Sequence, residues 1–215
     1  MRADTAVGAT ADRRKRRITG RSVPPLHGEV TTAIDLRTDT VTRPTDAIRA
    51  TMACAPVGDH QYGADPSTNR QQARRAELRG KQAAQWQPTG AMAKQVALRT
   101  LTQPGDEAVA SRESHAAWHE VDGAVAKAGV QIHETGQGGL FTADALRAAT
   151  QPRHFANSPS TMLVEIENTH QHAGGAVGPQ PSVLELCAVA RAIGLAALQG
   201  QCRGPLAGWT TTRLG

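Results

Sequence analysis

Apolar positions along the chain switch repeatedly between a helical and a strand period. After Pro44, the stretch from Thr45 puts Ile48, Met52 and Ala55 on one helical face, and Asn69 is placed to cap a second helix that ends at Gly80. A short segment around Ala83 to Trp86 leads through Pro88-Thr89-Gly90 into a third helix carrying Met92, Val96 and Leu98 to Leu101, closed by Pro104-Gly105. The pattern then predicts a strand over 107–111, a helix running towards Gly129, a strand over 130–133, a turn at Gly136, Gly138 and Gly139, and a helix from Thr142. Residues 161–167 are the best strand, since Met162, Leu163, Val164 and Ile166 form a nearly continuous apolar run suited to burial on both faces. A helix with Val183, Leu186, Cys187, Ala190 and Ile193 follows, then one more strand at 195–198. Helices interleaved with short strands predict an α/β domain with a mostly parallel sheet. After Leu198 neither period continues, and Gly200, Gly204, Pro205 and Gly208 break the segment 199–215.

Composition changes this picture only at the N-terminus. The chain has 215 residues, 39% of them apolar, enough for one core. Its formal charge of +5 is carried by residues 1–21, where Arg2, Arg13, Arg14, Lys15, Arg16, Arg17 and Arg21 stand against Asp4 and Asp12, so the remainder is neutral. Residues 1–33 also lack either period and read as a flexible basic extension, a solvated tail rather than a nucleic-acid arm. Cys54, Cys187 and Cys202 form neither a C-x-x-C pair nor an even framework, which points to a reduced, cytoplasmic setting. With no apolar run of about 18 residues, no membrane span is expected.

One series of short motifs carries more information than the periods. Ile34-Asp35-Leu36-Arg37-Thr38-Asp39-Thr40-Val41-Thr42-Arg43-Pro44 is followed by Val57-Gly58-Asp59, Tyr62-Gly63 with Asp65-Pro66, Pro88-Thr89-Gly90, Gly139-Leu140-Phe141-Thr142 and Glu167-Asn168-Thr169-His170. This series resembles the N-terminal portion of the L-threonine aldolases and covers residues 34–198. The resemblance implies the large domain of a fold-type I pyridoxal-phosphate enzyme, truncated here, with a threonine-like amino-acid substrate and active sites at the interface of a homo-oligomer.

Residue by residue, the resemblance implies that Thr89, Gly90 and Ala91 meet the cofactor phosphate at a helix start, where backbone N–H groups and the positive helix end favour an anion. The family usually has a hydroxyl residue where Ala91 stands. His115 falls where the family lays an imidazole against the cofactor ring. His154 matches a second histidine near the substrate, suited to handling the hydroxyl proton because a free imidazole titrates near ~6.5. Thr38 matches a hydroxyl that reaches the substrate carboxylate, and Tyr62 lies on a loop presented across the dimer interface. His170 and His172 flank Gln171, but no third ligand is suggested by spacing and no metal is expected.

Two family features have no counterpart. An Asp-Gly-Ala-Arg segment, whose aspartate pairs with the cofactor ring nitrogen, is replaced by Gln199-Gly200-Gln201-Cys202-Arg203. Lys15, Lys81, Lys94 and Lys127 all lie far from the place of the family's cofactor-tethering lysine, and none is an apparent substitute. The expectation is therefore a carbon–carbon lyase by descent, inactive as this chain, with a frameshift or early stop after Leu198 producing the tail. Alternatives are a non-catalytic fragment that acts as a dimerisation or regulatory partner, and a related β-eliminating amino-acid lyase. Gln85 and Gln87 around Trp86, in what should be a central strand, are expected to bury amides without partners, and loss of strands beyond Leu198 is expected to leave an open apolar sheet edge.

Overall fold

The computed structural model describes residues 41–120, 123–151, 157–201 and 208–212. The chain divides into two units, residues 1–43 and 44–215, and every element named below belongs to the second. Among the described residues, six helices and five strands follow one another as α1 (Asp46–Ala53), α2 (Pro66–Arg79), α3 (Gly90–Leu101), β1 (Glu107–Ser111), α4 (His115–Trp118), β2 (Gln131–Thr135), α5 (Ala143–Ala149), β3 (Thr161–Glu167), α6 (Gln180–Ala192), β4 (Ala196–Gln201) and β5 (Gly208–Thr212), with a π-helical turn at Ala124–Ala128.

The sheet order is β2-β1-β3-β4-β5. The first three pairings are parallel, while β4 and β5 pair antiparallel. Alternation along the strands builds two cores. Val109, Val164 and Ile166 pack against Leu146 of α5 and Leu186 and Ala190 of α6, whereas Ala108, Leu163 and Leu198 pack against Ala97 and Leu98 of α3 and Ala124 and Ala128 of the π-helical turn. The α/β class with a mostly parallel sheet is thus the one the sequence predicts, and Glu107–Ser111 and Thr161–Glu167 coincide with their predicted bounds.

Other expectations need correction. The second helix is capped by Asp65, not Asn69: the Asp65 carboxylate accepts from the Thr68 N–H at 2.7 Å, and Pro66 occupies the first helical position, where a missing N–H costs nothing. Asn69 lies inside the helix and donates to the Gly63 carbonyl at 2.6 Å. The other oxygen of Asp65 accepts from the Gly58 N–H at 2.9 Å, so the Gly58, Gly63 and Asp65 motifs close one loop, and hydrogen bonding holds the Asp65 carboxyl below the usual range. Residues 83–86 form no strand. Gln85 is exposed, Gln87 half-buried, and the Trp86 N–H bonds to the Gln72 side chain at 2.8 Å, so the feared burial of orphan amides does not arise there. The helix expected up to Gly129 is split into α4 and the π-helical turn. Beyond Leu198 the chain is not patternless: β4 runs to Gln201 and β5 pairs along its outer side, from Ala197↔Thr212 to Gln201↔Gly208, so that edge is covered.

Candidate active site

The site grows out of the C-terminal ends of β1 and β3. β1 ends at Ser111, and the following turn is pinned on every side. Arg112 N–H donates to Thr135, Glu113 stands in the left-handed region with φ 60° and its N–H held by the Glu134 carboxylate at 2.6 Å, and Ser114 Oγ caps α4. Trp118 Nε1 donates to the same Glu134 oxygen at 3.0 Å. His115, the first residue of α4, then has its backbone N–H tied to Glu167 Oε2 at 2.6 Å, across from the end of β3. The second Glu167 oxygen accepts from the Gln171 N–H at 2.9 Å. One buried carboxylate therefore fixes two loops at once.

The imidazole is held as firmly as its backbone. Glu120 Oε1 lies 2.7 Å from His115 Nδ1 and 3.1 Å from Lys94 Nζ, with Lys94 wholly buried. Burial would raise the Glu120 pKa, but the His115 hydrogen bond and the Lys94 charge outweigh it and hold the carboxyl below its ordinary value. Beneath them on the α3 side of β3 lies Glu165, fully buried, both oxygens without a hydrogen-bond partner. Burial pushes its pKa up to about 7, against the pull of Lys94 and with a further push from Glu167.

Lys94 projects from within α3 into the polar cluster, 3.5 Å from His115 Nδ1. Because it follows Thr89 by about one and a half turns, it also places the start of α3 near the same end of the sheet as His115. Thr89 Oγ1 accepts from the Met92 N–H at 3.1 Å, and among the described residues the N–H groups of Gly90 and Ala91 meet no protein acceptor. Space beside Gly90 is open. Thr89→Ala should cost about 1 kcal/mol of stability through the lost cap, measurable as a lowered urea midpoint with unchanged slope.

These features fit two of the demands of a pyridoxal-phosphate site. Exposed N–H groups at a helix start suit a phosphate, and His115, partly exposed and fixed in place, suits the face of a flat ring. In β4 the residue paired with Ile166 is Gln199, an amide in the region where the resemblance calls for a carboxylate to meet the ring nitrogen. Thr38 and His154 lie outside the described residues. Tyr62 is exposed on the loop between α1 and α2. His172 stacks near Trp118 and His119, with ring centroids 5.5 and 6.1 Å apart, and Glu113 lies 3.6 Å from its ring nitrogen. On the opposite face of the sheet a mostly apolar pocket of about 280 Å³ opens between α5 and α6, lined by Leu140, Phe141, Ile166, Asn168, Val183 and Leu186.

Sequence reading missed Lys94, Glu120, Glu165 and Glu167 as members of the site. A signal existed for one of them, since Glu165 interrupts the apolar run of a strand read as buried on both faces, and a buried charge demands company.

Comparisons with known proteins place the chain in a family. The model of the beta-eliminating lyase family matches residues 35–204. The chain is 40% identical over 141 residues to the low specificity L-threonine aldolase of Escherichia coli (strain K12), covering 64% of this chain and 41% of that protein. It is 35% identical over 147 residues to the low-specificity L-threonine aldolase 1 of Arabidopsis thaliana, covering 66% and 41%. The chain thus spans less than half the length of these relatives. Among solved structures, the Leishmania major threonine aldolase superposes with a TM-score of 0.61 at 19% identity, covering 74% of this chain and 45% of the other. A Listeria monocytogenes protein described as a putative L-allo-threonine aldolase gives 0.57 at 22%, covering 74% and 44%. At those identities the likeness concerns the fold, which is that of the fold-type I pyridoxal-phosphate enzymes. No helix among the described residues is long and apolar enough to cross a membrane. With the family model spanning most of its length and threonine aldolases as its similar relatives, the chain belongs to the beta-eliminating lyase family, as a threonine-aldolase-type member represented by its N-terminal part.

Proposed function

We propose that this chain is the cofactor-cradling portion of a cytoplasmic, oligomeric threonine-aldolase-type lyase, and that the 215-residue polypeptide by itself binds pyridoxal phosphate without turning over threonine. The observation that carries the reading is the fixed imidazole of His115, held by Glu120 and Glu167 at the sheet end that also receives the start of α3. Thr89, Gly90 and Ala91 would take the phosphate, and His115 would lie against the ring. Thr38 would reach the substrate carboxylate, and His154 would accept the hydroxyl proton as the bond between Cα and Cβ breaks. Bound pyridoxal phosphate supplies the sink for the electron pair left on Cα. The names of the relatives favour a β-hydroxy amino acid over an aromatic one as substrate. Gln199, standing in for a carboxylate, is the reason turnover is not expected from this polypeptide.

Equilibrium dialysis of the purified chain against pyridoxal phosphate tests the first half. Saturable binding that weakens at least tenfold in His115→Ala is expected; binding indifferent to His115, or none at all, would discard the reading. Threonine supplied to the loaded chain should release no glycine and acetaldehyde, and release at a rate proportional to purified chain would overturn the second half.

A further inference from the structure

His115 Nδ1 has two polar neighbours, Glu120 Oε1 at 2.7 Å and Lys94 Nζ at 3.5 Å. Lys94 can only donate, and 3.5 Å is beyond the range of a good N–H···N bond. A bare Nδ1 would set its lone pair against those of a carboxylate 2.7 Å away, a repulsive arrangement. Nδ1 must therefore carry hydrogen, with Glu120 accepting it. In the neutral ring this leaves Nε2 as a bare acceptor on the partly exposed imidazole.

Lys94 completes the device. It bonds the same Glu120 oxygen at 3.1 Å, while Glu120 Oε2 is buried with no hydrogen-bond partner. Both ties thus converge on Oε1 and fix the carboxylate's rotation. The charged and titratable groups that face this lysine are Glu120 after α4, Glu165 on β3 and His115 on α4, and Glu167 on β3 acts in turn on Glu165. An ammonium among carboxylates keeps Glu120 ionised, and an ionised acceptor makes the stronger hydrogen bond. A salt bridge present only to neutralise buried charge would need no shared oxygen and no contact with the ring.

We propose that Glu120 and Lys94 are positioning residues that lock His115 in its Nδ1–H tautomer and present Nε2 as an acceptor at the sheet's C-terminal end. The assignment enlarges the role of His115 in the site proposed above. Its test needs no cofactor, so failure here and failure of cofactor binding are separate results.

The experiment is a ring-nitrogen correlation spectrum of the full ¹⁵N-labelled chain at mildly alkaline pH, with the His115 signals assigned by their disappearance in His115→Gln. The wild-type ring should show Nδ1 protonated and Nε2 bare in about tenfold excess, as a hydrogen bond to a charged acceptor provides, the reverse of what an unrestrained imidazole in water favours. The double variant Lys94→Met with Glu120→Leu removes both ties and leaves no new unpaired charge between them, and should return His115 to a mixture rich in Nε2–H. If that variant does not fold, Glu120→Gln takes its place: the amide can accept from Nδ1 or donate to it, so both tautomers should appear. A wild-type ring found as Nε2–H overturns the proposal, and so does a variant that folds yet keeps the Nδ1–H excess.

Discussion

Lowering the pH from about 8.5 to about 5 should raise the unfolding free energy by on the order of 3 kcal/mol through Glu165 alone. Its carboxyl titrates at about 7 in the folded chain against 4.5 in an open one, because burial strips it of water and leaves both oxygens without a hydrogen bond. The folded state therefore holds this proton more tightly. The resulting stability is fully present below pH 4.5 and is lost as the pH rises through 7. Glu120 works in the opposite sense: its pKa is depressed, so its contribution is present above the ordinary carboxylate range and fades as the pH falls through the folded value. Stability is thus expected to peak in mildly acidic solution. Urea denaturation across that range measures it, and the comparison with Glu165→Gln isolates this residue from every other titrating group. A Glu165→Gln profile parallel to the wild type would refute the assignment.

Gly139→Ala should be strongly damaging, costing about 2 to 4 kcal/mol. Gly139 has φ +78°, where side chains other than hydrogen are strained, and a Cβ there would lie 2.4 Å from Cγ of His170 and 2.6 Å from its Cβ. His170 is fully buried and cannot swing aside. Its Nδ1 accepts from the Ala173 N–H at 3.2 Å, its Nε2 lies 3.8 Å from Glu167, and Glu167 anchors His115. Steric pressure at Gly139 thus reaches the site through two buried side chains. The variant should melt lower and also bind pyridoxal phosphate more weakly, whereas Gly138→Ala, strained in φ but with open space around it, should show the smaller loss. Equal losses at the two positions would mean that the His170 contact carries no cost.

Where the sequence foretold structure, the physics was local. Strand β3 shows itself because Met162, Leu163, Val164 and Ile166, in near succession over seven residues, need burial on both faces, and α6 because Val183, Leu186 and Ala190 repeat at helical spacing. The start of α2 was misplaced on Asn69 although Asp65-Pro66 held the stronger cue, an acceptor side chain followed by a residue that lacks an N–H. Strand β5 was invisible for a different reason. Its sequence, Gly208 to Thr212, has no period of its own, and it becomes a strand through the ladder that β4 offers.

The candidate site divides in the same way. Thr89 could be read as a cap from its place before a helix, and His115 only through the family resemblance. Lys94, Glu120 and Glu165 lie 26 and 45 positions apart along the chain, and no periodicity links residues that meet only because β1 and β3 are neighbours. The buried ionic cluster is a product of sheet order, and sheet order is what local pattern describes least well.

That order also decides when the molecule can begin to hold itself together. Strand β3 sits between β1 and β4, and Glu107 meets Thr161 across a separation of 54 residues. As the polypeptide leaves the ribosome, β1 finds β2 early, but β3 emerges with apolar side chains on both faces and one flank open until α6 and β4 have been synthesised. A nascent chain paused in that interval displays a sticky, half-paired strand, so the stretch between β3 and β4 is where translation speed and chaperone supply weigh most on the yield of folded protein.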